Sequence, residues 1–225
     1  MEGRKSLLNQ KKKLAERFAR HYHFSKKVIA SFKKIKRENF VLDELKSRSY
    51  DDEALRAVAG QTISQPSTVL YMLDLLDLKP GQKVLEIGAG SGYNAALISN
   101  IIGSKGIVYS IEFLNEVYRF AKKNIANAKI KNVNIIKGDG SKGYHKEAPY
   151  DRIIITAACP NIPSIMIEQL RSDGVIVAPV GSLEYQRMVR LKKKDGMLER
   201  FESDNEYLFV PLRGEYGFSN PLEKR

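Results

Sequence analysis

Cysteine and histidine are nearly missing: the 225 residues hold one cysteine, Cys159, and three histidines. A single cysteine forms no internal disulfide, and no Cys/His cluster has metal-ligand spacing, so no metal is expected. Long apolar runs are also missing. None approaches the ~18 residues that cross a bilayer as a helix, and no membrane association is expected. The first residues are polar and basic with no apolar core segment, so no secretory signal is expected and the cytoplasm is the expected compartment. Acids are scarce at one end only. Residues 1–37 carry thirteen Lys/Arg against Glu2 and Glu16, a net +11, while the rest of the chain contributes +1 to the total of +12.

That basic arm reads as two amphipathic helices, residues 4–23 and 25–37, with Ser25 as a cap between them. Leu14, Phe18, Tyr22, Val28, Ile29, Phe32 and Ile35 recur at spacings of three to four, which gives each helix one side to bury. The arm is expected to be either a solvated helical face or a surface for nucleic acid or another acidic partner. The expected division is a basic helical segment packed on the core (1–60) and a main domain (61–225), forming one globular unit and a monomer.

The stretch Val84-Leu-Glu-Ile-Gly-Ala-Gly-Ser-Gly-Tyr-Asn94 organises the rest of the chain. Apolar strand formers stop at Gly88, Gly90 and Gly92, and a helical pattern then runs to Gly103. Strand, glycine turn and helix in this order let a ligand approach the backbone and offer it the unpaired N–H groups of a helix start. A tight turn with no ligand would use the same glycines. Downstream the pattern alternates as an α/β sheet should, with strands expected at 107–111, 133–137, 152–156 and 174–180 and helices at 115–128 and 163–170. Further strands are expected at 187–192, 197–202 and 207–212. Upstream, Ser67 or Thr68 is expected to cap a helix over 69–76.

Ligands of open α/β sheets bind beyond the carboxyl ends of the strands. Two acids stand at such ends. Glu112 follows the strand ending at Ile111 and can accept from both ribose hydroxyls of a nucleoside; as a plain surface acid it would cap a helix instead. Asp139 lies between Gly138 and Gly140 and can accept from an exocyclic amine such as adenine N6, or be an ordinary turn aspartate. Glu86 precedes the glycine loop and adds a carboxylate suited to a cationic ligand. The Gly-x-Gly-x-Gly form looks like the nucleotide loop of S-adenosylmethionine-dependent methyltransferases. Thr156-Ala-Ala-Cys-Pro160 follows the fourth strand where enzymes acting on base amines show Asn/Asp-Pro-Pro-aromatic. No general base stands out. A carboxylate acceptor, ionised at pH 7 with a pKa near ~3.5–4, needs none.

Gly60-Gln-Thr-Ile-Ser-Gln-Pro66, the glycine loop, Gly138-Asp-Gly140, Ala148-Pro-Tyr-Asp151, Thr156-Ala-Ala158 and Phe209-Val-Pro-Leu212 together resemble protein-L-isoaspartate (D-aspartate) O-methyltransferases over about residues 26–218. The resemblance implies a Rossmann-like, doubly wound, mostly parallel α/β sheet with N-terminal helices and C-terminal strands. It implies methyl transfer from S-adenosyl-L-methionine, with S-adenosyl-L-homocysteine as product, to isoaspartyl residues of damaged proteins. It places Ser64 as the active-site serine, with Thr62 beside the acceptor. The cofactor set it implies is Gln61, Thr62, Ile63, Glu86, Gly88, Ala89, Gly90, Ser91, Gly92, Asn94, Glu112, Phe113, Asp139 and Gly140. Leu55-Arg-Ala-Val-Ala59 departs from the family's usual residues before Gly-Gln-Thr. Two alternatives stay open: a nucleic-acid methyltransferase guided by the arm, and a relative that binds the cofactor without turnover.

Overall fold

The computed structural model describes residues 2–218, with side chains from Ser6 onward. Two short strands, β1 (Leu55–Arg56) and β2 (Thr62–Ile63), form a small antiparallel pair. Seven more form the central sheet: β3 (Lys83–Ile87), β4 (Ile107–Glu112), β5 (Val133–Lys137), β6 (Tyr150–Ile155), β7 (Leu170–Gly181), β8 (Gln186–Lys194) and β9 (Met197–Tyr207). Their order across the sheet is β5-β4-β3-β6-β7-β8-β9. β3 to β7 pair in parallel; β8 and β9 add on as antiparallel strands. The central parallel strands β3, β4 and β6 are buried on both faces, as in parallel sheets, whereas edge strand β9 is largely exposed. Alternate residues sort into two cores. Val84, Val108, Ile154 and Val177 join one, and Leu85, Ile87, Ile111, Ile153 and Ile176 join the other.

The first core also takes in the N-terminal arm. Helix α1 (Glu2–Arg17) runs into a π-helical turn over Phe18–Tyr22, and α2 spans Lys26–Lys34. Leu14, Ala15, Phe18, Phe24, Val28, Ile29 and Phe32 pack with Leu70, Leu73 and Leu76 of α3 (Pro66–Leu76) and with Leu97 of α4 (Tyr93–Ile102). Ser25 holds the position before α2, but its hydroxyl makes no cap bond; its amide donates to Asp74 Oδ1 instead, at 2.9 Å.

Several boundaries differ from those expected, each for a local reason. Helix α3 starts at Pro66, whose fixed φ suits a first helical position, and neither Ser67 nor Thr68 caps it. α2 ends at Lys34, because Ile35 is extended. The Ala54–Ala59 stretch is too short to show the period of β1 in the sequence. α5 runs Asn115–Asn127, whereas α6 is only Ser164–Glu168, with β7 starting at Leu170. Residues 208–212 are not a sheet strand. They leave β9 and cross the strand ends: Ala158 N donates to Val210 O at 2.8 Å, and Leu212 N to Ala158 O at 2.7 Å.

Candidate active site

Strand order reverses between β3 and β6, with β4 and β5 on one side and β7 on the other. A crevice forms at such a switch point, beyond the carboxyl ends. The glycine loop leaves β3 there. Gly88 has φ +92°, and a Cβ on it would lie 2.5 Å from Thr156 Oγ1, so only glycine fits. Thr156 ends β6 and ties the two strands across the gap: its hydroxyl donates to Gly88 O at 2.6 Å and its amide to Ile87 O at 2.9 Å.

The cavity above this seam is walled by three loops. Gln61, Thr62, Ile63 and Ser64 form one wall; Gly88, Ala89, Gly90, Ser91 and Asn94 form the floor; Glu112, Phe113 and Gly140 close another side. Twelve of the fifteen candidate residues therefore meet in one place. Ser64 faces the cavity just before Gln65, which holds the position ahead of α3, so the serine is not the helix cap. The loop that carries it is held by Ala57 N donating to Gln61 O at 2.7 Å, closing the β1–β2 turn.

Glu112 is almost buried. Its Oε2 accepts from Gly90 N at 3.1 Å, and its Oε1 accepts from Leu114 N at 2.9 Å. Each carboxylate oxygen keeps a further lone pair towards the cavity it lines. Asn94 donates Nδ2 to Glu86 Oε1 at 2.7 Å and leaves Oδ1 buried with no partner among the described residues. An orphan acceptor in the wall suits a ligand that brings a donor such as an ammonium.

Three candidates stand outside the lining. Glu86 lies beneath the loop with no exposed surface, bonded to Asn94 and to the Ser110 hydroxyl. Burial is the main cause that pushes its carboxyl up to about 7. Bonds from Ser110 and Asn94 pull it back, and Glu112 adds to the rise. Gly92 sits before α4 with φ +84°, backed by Ile125 rather than by the cavity. Asp139 follows β5 but does not itself line the cavity. Its Oδ1 accepts from Ser141 N at 2.9 Å and Oγ at 2.6 Å, and its Oδ2 from Glu215 N at 3.0 Å. The carboxylate thus holds the segment after Leu212 in place, while neighbouring Gly140 faces the cavity.

Other residues, not expected at a site from the sequence, also reach the cavity. Thr156, Ala157 and the crossing segment Phe209–Arg213 line the cavity, as do Tyr93, Leu114 and Val117. Phe-Val-Pro-Leu was visible as a motif, but its place over the strand ends was not. Cys159 is buried beneath that segment, and burial pushes its thiol up to about 12, which makes it an inert packing group.

With this geometry in hand, comparison with known proteins is decisive. The family described as protein-L-isoaspartate(D-aspartate) O-methyltransferase matches residues 9–217. The chain belongs to that family. A protein-L-isoaspartate O-methyltransferase of Pyrococcus horikoshii is 47% identical over 196 residues, covering 86% of this chain and 88% of the relative. Protein-L-isoaspartate O-methyltransferase 2 of Archaeoglobus fulgidus is 44% identical, covering 94% and 96%. A solved protein-L-isoaspartate O-methyltransferase superposes with a TM-score of 0.84 at 32% identity, over 92% of this chain and 67% of that one. A Plasmodium falciparum structure of the same designation, in complex with S-adenosyl-L-homocysteine, shares the fold with a TM-score of 0.78 at 22% identity, covering 90% and 97%. This methyltransferase therefore has the doubly wound, mostly parallel fold of its family.

Proposed function

We propose that the cavity holds S-adenosyl-L-methionine and that the enzyme methylates the α-carboxylate of L-isoaspartyl and D-aspartyl residues in damaged proteins. One observation carries the site assignment: the Gln61–Ser64 loop, the glycine loop and Glu112 face one another across a single cavity. Glu112 accepts the ribose hydroxyls, the Gly88–Ser91 turn admits the methionine part, and Asn94 Oδ1 accepts from its ammonium. Phe113 and Gly140 flank the base. Bound there, S-adenosylmethionine supplies an electrophilic methyl on a sulfonium and leaves as S-adenosylhomocysteine. Thr62 and Ser64 hydroxyls hold the acceptor carboxylate and aim one oxygen at that methyl. The acceptor is already ionised, so no side chain here removes a proton. In the released ester the amide nitrogen of the isoaspartyl linkage attacks the ester carbonyl and expels methanol to give a succinimide, which water can open to aspartate.

The Leu55–Ala59 segment, which departs from the family's usual residues, pairs through Leu55 and Arg56 with Ile63 and Thr62 and so braces the acceptor loop. Among the described residues no helix is long and apolar enough to cross a membrane. We place the enzyme in the cytoplasm as a monomer, with its basic arm turned to an acidic partner. Matched peptides test the function. An isoaspartyl peptide is expected to accept labelled methyl groups, and its aspartyl twin is not. Equal or absent labelling of the two rejects the substrate.

A further inference from the structure

We infer that the outer face of the N-terminal helices is a docking surface for single-stranded nucleic acid. The arm's cations divide into two sets. Lys11 points inward, donating Nζ to Ile35 O at 2.9 Å, and Arg37 is fully buried. Lys12, Lys13, Arg20, Lys33, Lys34 and Lys36 are exposed and form no ion pair among the described residues. The Lys11–Ile35 bond ties α1 to the end of α2, which brings the Lys12–Lys13 pair close to the Lys33–Lys36 run. Burial lowers the Lys11 ammonium to about 8; nearby Glu38 opposes the shift, and Lys36 adds to it.

A fixed cluster of one sign repels itself, and the rigid helices keep it from spreading. Acids that could quench it are few on the arm. A polyanion relieves the repulsion and releases its own counterions. Four exposed residues add a second feature: Arg20-His21-Tyr22-His23 close the π-helical turn, with His23 in the left-handed region at φ 54°. The Tyr22 ring stacks on Phe24 with centroids 5.3 Å apart, and 45% of the residue stays exposed. A braced, exposed aromatic next to Arg20 is a stacking platform for an unpaired base. A membrane fits less well. Leu8 and Tyr22 are the large apolar side chains that the described arm exposes, and the rest of its apolar side is spent on the core.

The surface also has a route to the acceptor loop. Arg17 pairs with Asp52 Oδ2 at 2.5 Å, and Asp52 Oδ1 accepts from Ser67 N at 2.8 Å, three residues beyond Ser64. The inference deepens the acidic partner proposed for the arm. Its test and the peptide test fail independently.

The test is fluorescence anisotropy of the full chain with labelled 20-residue single-stranded RNA and DNA. Binding is expected, with a log–log salt slope of about −3.5 if five cations meet phosphates. Lys12→Glu/Lys13→Glu/Lys33→Glu/Lys34→Glu is expected to lose binding by more than about tenfold while methylating the isoaspartyl peptide at the wild-type rate. Tyr22→Ala is expected to weaken it about tenfold with an unchanged salt slope. If the charge reversal fails to fold, the same positions as glutamine replace it. No binding at low salt overturns the inference. So does undiminished binding by the variants, or equal affinity for polyglutamate or anionic phospholipid vesicles.

Discussion

Glu86 is a carboxyl with no exposed surface and a polar neighbour on each oxygen. Its folded-state pKa of about 7 lies above the usual glutamate value of 4.5, so folding favours the protonated carboxyl. The stability it lends is complete below about pH 4.5 and is lost as the pH rises through 7. A shift of that size corresponds to roughly 3 kcal/mol. Glu86→Gln keeps the shape and cannot ionise, so its melting temperature is expected to fall less between pH 5 and pH 8 than the wild type's. Parallel curves would show that Glu86 is charged throughout. Glu112, one strand over, lines the cavity and is the proposed ribose acceptor. Glu112→Ala removes two ribose hydrogen bonds to a charged group, at about 1.5–3 kcal/mol each. The dissociation constant for S-adenosylhomocysteine is expected to rise at least about a hundredfold, read by calorimetry. An unchanged constant would remove Glu112 from the site. The two acids share a type and a neighbourhood, yet burial decides their tasks. The sequence showed both at a strand, but not that Glu86 lies under the loop.

At the scale of elements, the glycine loop is where the backbone leaves the least choice. Gly88→Ala would place a methyl against Thr156 Oγ1 in a conformation that disfavours any side chain. The strain of about 1–3 kcal/mol falls on the β3–β6 seam. Cofactor affinity is expected to drop at least tenfold, with a lower melting temperature by calorimetry; wild-type values for both would mean that the seam yields freely. This loop was legible from the sequence because glycine spacing and apolar runs are local signals. So were β3 to β6, whose apolar runs are bounded by turns. The segment over the strand ends was not, since its partners lie far away in sequence. Ala158 pairs with 210–212, and Glu215 N reaches Asp139 across 76 residues. The same distance hid the task of Asp139. At Gly214 a Cβ would come 1.9 Å from its Oδ1, so the chain passes too close for any side chain there. An aspartate flanked by two glycines looks free in sequence, and only the returning backbone shows that it is occupied.

At the scale of the whole molecule, the charge map and the packing map disagree about the arm. By charge it is an appendage, with almost all of the net +12 on residues 1–37. By packing, Leu14, Ala15, Phe18 and Phe24 belong to the same core as α3, α4 and one face of the sheet. Burying Leu14, Phe18 and Phe24 is worth about 1.5–3 kcal/mol each, so losing all three would remove roughly 5–9 kcal/mol. Whole domains are stable by only about 5–15 kcal/mol. A chain lacking residues 1–25 would also lose the Arg17–Asp52 pair beside the acceptor loop and uncover Val28, Ile29 and Phe32. Such a truncation is expected to be insoluble, or to melt far below the full chain in calorimetry, and to lose peptide methylation with its fold. Substituting only the exposed lysines of the arm is expected to leave the melting temperature within a few degrees of wild type, because surface charges contribute little each. A soluble truncation with an unchanged melting temperature would mean that the arm is a true appendage and that its apolar side contributes nothing to the core.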